Sequence, residues 1–142
     1  MIRSAEPKDF DYIYQLGEKL HENYKTKYDF NELMQNDYFN LIVYEDNKKI
    51  VGFLSYTNLL DTTDIIDIIV DEKYRQKKVA TNLIDFAITN SKPHTNFLLE
   101  VAVDNYPAIN LYDKFGFKVI HTRKKYYGKK DAYVMERVIE NE

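Results

Sequence analysis

Cysteine and tryptophan are absent from this 142-residue chain. Without cysteine there is no disulfide, no thiolate metal site and no cysteine nucleophile. Long hydrophobic runs are also missing: none approaches the roughly 20 residues that a membrane-spanning helix needs. The opening stretch MIRSAEPKDF carries no apolar core segment, which argues against a secretory signal and for a cytoplasmic protein. Glycine is scarce, with only 4 residues, and neither glycine-rich phosphate loop, GxxxxGK[ST] or GxGxxG, occurs in the sequence. No serine lies in G-x-S-x-G, the turn that exposes a hydrolase nucleophile. A formal net charge of −3 excludes a chain that binds nucleic acid through its overall charge.

What is present fits one domain, residues 1–142, with a single core. Hydrophobic residues at 44% and charged residues at 30% mark a globular rather than a disordered chain. There are no repeats, low-complexity segments or linkers. MIRSA reads as a first strand. Pro7 then introduces a helix over KDFDYIYQLGEKLHENY, with Phe10, Ile13, Tyr14, Leu16 and Leu20 as its apolar stripe. DFNELMQN is a second, shorter helix. Residues 38–60 form a hairpin turning at EDNKK. TTDIIDIIVD is a strand whose apolar end, Ile65 to Val70, predicts burial on both faces.

KVATNLIDFAITNS is a helix with Val79, Leu83, Phe86 and Ala87 on one stripe, and NFLLEVAV is the next strand. YPAINLYDKF is a helix with Pro107 near its start and Gly116 placed to end it. Two strands close the chain, FKVIHTRKKYY and DAYVMERVI, joined around Gly128. The order β-αα-β-β-β-α-β-α-β-β predicts an α/β (α+β) fold. Residues 64–103 make one parallel βαβ unit, the sheet is otherwise antiparallel, and helices cover both faces.

VDEKYRQKKVATNLIDF, residues 70–86, joins an apolar strand to a helix through a turn holding Lys73, Arg75, Lys77 and Lys78. Ligands of open α/β sheets bind beyond the carboxyl ends of parallel strands. A helix N-terminus adds unpaired N–H groups and a favourable dipole. The turn therefore suits a phosphate or pyrophosphate, although a lysine-rich turn that merely opens a helix needs no ligand. The second basic run, 123–130, reads as a solvated face.

Three segments in order resemble the GNAT superfamily of N-acetyltransferases. Arg75-Gln76-Lys77-Lys78-Val79-Ala80 is similar to the superfamily's cofactor loop, [Q/R]-x-x-G-x-[G/A]. LLEVAVDNYPAINLYDKFGF resembles its second signature, a Leu-Glu-Val strand, an asparagine and a helix ending Leu-Tyr-x-x-x-Gly-Phe. TRKKYYGKKDAYVME resembles the tail of the bacterial ribosomal-protein alanine N-acetyltransferases, the RimI type.

The resemblance implies that acetyl-CoA is the donor, its pyrophosphate held by the backbone amides of residues 75–80. It implies that Ile68, Ile69 and Val70 pair their backbone with the pantetheine arm and that Asn105 contacts the cofactor. The departure is Lys78, where the family has glycine. With ordinary helical angles its side chain would point to solvent and the N–H groups would still converge. Lys78 could obstruct the loop through its Cβ or add a charge-assisted contact to the phosphates.

Acetyl transfer to an amine needs a neutral amine and a proton for the leaving thiolate. An N-terminal amine, with a pKa of about 7.7–8.0 against about 10.4 for lysine, needs less help to deprotonate. Glu100, on an apolar strand, must be paired, exposed at an edge or functional. The resemblance makes it the proton acceptor and makes Tyr112 the general acid beside the sulfur. Without it, Tyr112 is an ordinary amphipathic core tyrosine and Asn105 an N-cap.

His21, His94 and His121 have no ligand spacing, and Asp61, Asp64 and Asp67 alternate faces along a strand, so no metal is expected. Tyr126 and Tyr127 either shape an acceptor slot or pack in the sheet. The expected acceptor is a protein N-terminal amine, that of a ribosomal-protein alanine. The alternatives are a lysine or small-molecule amine, and a degenerate non-catalytic CoA-binding module. Neither nucleic acid nor membrane is expected as a partner.

Overall fold

A computed structural model describes residues 1–19, 21–75, 78–92, 95–126 and 130–138. The expectations placed on Leu20, Gln76, Lys77, His94, Tyr127 and Gly128, and on the Tyr126 side chain, lie outside the described residues. The strands are β1 (Ile2–Ser4), β2 (Phe39–Asp46), β3 (Lys49–Leu59), β4 (Thr62–Val70), β5 (Asn96–Ala102), β6 (Lys118–Tyr126) and β7 (Lys130–Arg137). The helices are α1 (Phe10–Glu18), α2 (Tyr24–Lys27), α3 (Phe30–Leu33), α4 (Val79–Thr89) and α5 (Tyr106–Lys114). Hydrogen bonding orders the strands β1-β2-β3-β4-β5-β7-β6. The sheet is mostly antiparallel, and β4–β5 is its parallel pair. No helix among the described residues is long and apolar enough to cross a membrane.

The chain divides into two compact units, Met1–Thr57 with Asp67–Asn90, and Asn58–Ile66 with Ser91–Glu142. In the first unit neighbouring residues of β3 fix which helix covers which face. A Cβ built on Gly52 would lie 2.9 Å from Val79 Cγ1 of α4, whereas the Phe53 ring sits 6.1 Å from the Tyr24 ring of α2. Successive strand side chains point to opposite faces, so α4 covers one face of this unit and α2 the other.

The long first helix expected over residues 8–24 is broken. A 3-10 turn, Pro7–Asp9, leads into α1, which ends at Glu18, and Asn23 then adopts a left-handed φ of 63°. The break lets Tyr24 fold back onto Gly17, where a Cβ would collide with its ring. The Glu18 carboxylate accepts from the backbone N–H groups of Asn23 and Lys25, both at 3.1 Å. Burying Tyr24 completely wins over helix continuation. Phe30, equally sealed, is ringed by Phe10, Tyr14, Tyr24, Tyr28 and Phe39 at centroid distances of 5.0–6.3 Å. Full burial of such a side chain contributes about 1.5–3 kcal/mol.

Burial along β4 corrects a second expectation. Ile65 and Ile69 are buried, but Ile66, Ile68 and Val70 are half-buried, so the strand end is covered fully on one face only.

In the second unit β4 pairs in parallel with β5 from Thr62↔Asn96 to Asp64↔Leu98, and β5 pairs antiparallel with β7. The parallel pairing stops at Leu98, so among the described residues Glu100 is paired across β7 alone, and the sheet-edge explanation for Glu100 stands beside the functional one. Gly116, at φ 92°, ends α5, and the Arg137 Nε donates to Phe115 O at 2.8 Å to hold that end.

Candidate active site

In the first unit the chain passes from β4 through a short 3-10 turn, Glu72–Tyr74, to the N-terminus of α4. Asp71 shapes this passage. Its N–H donates to Val51 O at 2.8 Å, and its Oδ1 accepts from Lys73 N at 3.0 Å. The Lys73 N–H holds the Asp71 carboxyl below the usual carboxylate range, with Lys19, Lys49 and Lys73 adding charge. Arg75 and Lys78 are exposed beyond it.

Lys78 does not keep helical angles. It is the N-cap of α4 at φ 61°, ψ 23°, the left-handed conformation that glycine takes without strain. An L-residue there costs about 1–2 kcal/mol. The lysine therefore holds a backbone conformation more usual for glycine. Its side chain has no acceptor, so α4 has no side-chain cap. The first N–H groups of a helix have no intrahelical carbonyl to bond. Such groups can take an anion.

Packing holds this N-terminus against the sheet. Val79 is buried over Gly52, and a Cβ on Gly52 would also come within 3.2 Å of Ile69 O. Ala80 is half-buried. Half-buried Ile68 and Val70 flank buried Ile69 and present apolar surface at the strand end. An open strand end leading into an uncapped, basic helix N-terminus suits a ligand such as acetyl-CoA, whose pantetheine arm carries both amide and alkyl groups and whose pyrophosphate is anionic.

The second unit holds Glu100, Asn105 and Tyr112. Glu100 lies on β5 opposite Val134 of β7, exposed, with its Oε1 3.0 Å from Arg123 Nε. Asn105 is the N-cap of α5, and its side chain accepts from Ala108 N at 3.4 Å. Tyr112 is buried, with its ring 5.9 Å from that of Phe117. Among the described basic side chains of the run 123–130, Arg123 meets Glu100, Lys124 meets Asp131 at 3.8 Å and Lys130 meets Asp104 at 2.8 Å.

Three features escaped the sequence reading. Asp71 had a local signal, an acidic residue opening a turn directly after a strand. Gly52 had none, because its role is a close approach of α4. The third is a pair in the first unit, buried Tyr24 and half-buried Asp67. The Tyr24 hydroxyl donates to Asp67 Oδ2 at 2.8 Å. Burial pushes the Asp67 carboxyl above the usual carboxylate range, and burial beside Asp67 pushes the Tyr24 hydroxyl up as well.

Residues 5–117 match the Acetyltransferase (GNAT) family. The chain is 32% identical to an N-alpha-acetyltransferase of Saccharolobus solfataricus, covering 96% of this chain and 91% of that protein. It is 30% identical to a putative ribosomal protein bS18-alanine N-acetyltransferase of Bacillus subtilis, covering 94% of this chain and 92% of that one. Its fold superposes on the crystal structure of the ribosomal-protein-S18-alanine N-acetyltransferase from Escherichia coli with a TM-score of 0.88 at 26% identity, over 100% of this chain and 95% of that chain. The chain belongs to the GNAT family and is an acetyltransferase of the group that includes these N-alpha-acetylating enzymes.

Proposed function

We propose that the enzyme transfers the acetyl group of acetyl-CoA to a protein N-terminal amine, with the N-terminal alanine of a ribosomal protein as acceptor and the cytoplasm as its place of action. The observation that carries the donor half is the uncapped N-terminus of α4, with Lys78 held in the glycine conformation. The acceptor half rests on near-full-length similarity to relatives named for α-amine acetylation. Acetyl-CoA supplies the acetyl group as an activated thioester.

Backbone amides of Arg75, Gln76, Lys77, Lys78, Val79 and Ala80 hold the pyrophosphate, and the lysine and arginine side chains screen its charge. The backbone of Ile68, Ile69 and Val70 pairs with the pantetheine arm. Asn105 contacts the cofactor while it caps α5. Glu100, positioned by Arg123, accepts the proton that the amine must lose, and Tyr112 gives a proton to the departing sulfur. Direct attack of the amine needs no covalent enzyme intermediate, in keeping with a chain without cysteine.

Binding of CoA to the native state must stabilise it by mass action. Saturating CoA is expected to raise the melting temperature. A melting curve that saturating CoA leaves unmoved would overturn the donor half of this reading.

A further inference from the structure

Asp67 lies on β4 immediately before Ile68 to Val70, the stretch assigned above to the donor's arm. It faces away from α4. Its Oδ2 takes the Tyr24 hydroxyl at 2.8 Å, and Tyr24 stands on the Phe53 face of the sheet, opposite the face that α4 covers. The pair is rigid, because Tyr24 has no exposure and is wedged between Gly17, Phe30 and Phe53.

The carboxylate is only half satisfied. Asp67 is in no ion pair, and its Oδ1 has no hydrogen-bond partner among the described residues. That oxygen is nevertheless not sealed, since the residue is half-buried and Oδ1 is not among the buried unpartnered atoms. His21, stacked on Tyr24 at 6.1 Å, and Lys27 are the basic side chains that act on it. A carboxylate held at one oxygen by a buried hydroxyl, with the other oxygen open, suits a cation that arrives with its own N–H donors.

We infer that Asp67, oriented by Tyr24, is the residue that recognises the acceptor as a primary ammonium, through the open Oδ1 on the α1–α2 side of β4. This rests on the proposed acetyl transfer to an amine and adds a specificity determinant to it. An N-terminal amine is mainly protonated at neutral pH, so a carboxylate at the acceptor side selects it over a neutral or acylated N-terminus. Tyr24 acts through Asp67 and is a positioning residue.

The test uses the full-length enzyme saturated with CoA and two peptides: one beginning with alanine, and its des-amino counterpart with the α-amine replaced by hydrogen. Calorimetry should show the wild type preferring the amine peptide by about 10–100-fold, the scale of a hydrogen bond to a charged group. Asp67→Asn keeps an acceptor for the Tyr24 hydroxyl but loses the charge. It should bind both peptides alike, with CoA affinity unchanged. Tyr24→Phe should retain part of the preference, since the charge remains but its orientation is lost.

An Asp67→Asn variant that keeps the full preference, or that weakens both peptides equally, overturns the inference and leaves Asp67 a strut for α2. Wild-type enzyme that acetylates neither this peptide nor a panel including spermidine and free lysine would remove the underlying reading, and the inference with it.

Discussion

The Arg123 guanidinium sits 3.0 Å from the Glu100 carboxylate, joining β6 to β5 over the intervening β7. An exposed pair of this kind adds little stability, about 0–1 kcal/mol. Its consequence is positional. Glu100→Gln should leave the melting temperature close to wild type and lower turnover by on the order of 10²–10⁴-fold, the scale of one general base. The loss should be greatest at low pH, where the acceptor amine is protonated, and raising the pH should restore part of it. A pH–rate profile parallel to wild type would return Glu100 to a surface ion pair.

Tyr112→Phe keeps the ring that packs on Phe117 and removes only the hydroxyl. Fold and CoA binding should survive, while turnover falls by on the order of 10²–10⁴-fold. The defect lies in protonating the leaving group, so an acyl donor with a more acidic thiol should recover part of the rate. Equal loss with both donors would argue against the general-acid role.

Lys78→Gly should stabilise the enzyme. Relief of a left-handed lysine returns about 1–2 kcal/mol, and the greater freedom of glycine in the unfolded chain takes back about 0.4–1 kcal/mol. The net gain, of the order of 0.5–1 kcal/mol, should appear as a higher denaturant midpoint with an unchanged slope. CoA should bind a few-fold more weakly and with a shallower salt dependence, because the backbone was already in the glycine conformation and only a charge is lost. Tighter CoA binding by the glycine variant would show that the lysine side chain obstructs the loop.

Much of this was legible in the sequence. The β4–α4–β5 unit carries its own periods, and Pro107 and Gly116 bracket α5 as written. Asn105, legible as an N-cap from its type and place, is one. What was not legible depends on residues far apart. The break after α1 exists because Tyr24 meets Gly17 and Phe53, not because the helical stripe fades. Tyr24 and Asp67, 43 positions apart, are joined only by the fold. The conformation of Lys78 was hidden because a lysine gives no sign of a positive φ. Alternation along β4 failed for a different reason: IIDIIV reads as buried on both faces, yet one face is left partly open at the strand end.

Asp67 also predicts how stability varies with pH. Its folded pKa is raised by burial, so the native state binds a proton more readily than the unfolded chain does. Stability from this group therefore falls as pH rises from about 4, the ordinary aspartate value, through the raised folded value. Asp67→Asn removes that dependence. The variant should be more stable than wild type at pH 7, and the difference should vanish as the pH drops to about 4. Thermal melts of both proteins across this range measure it. A variant less stable than wild type at every pH would show that the carboxylate is favourably paired.

The most direct test of acetyl transfer to an N-terminal amine is intact-mass analysis of paired peptides incubated with enzyme and acetyl-CoA. One peptide begins with a free alanine and lacks lysine; the other has the same sequence with its N-terminus blocked and a free lysine added. The account predicts one acetyl group on the alanine peptide, located at the α-amine by fragmentation, and little or none on the blocked peptide. Acetylation of the blocked peptide in preference to the free N-terminus would contradict it.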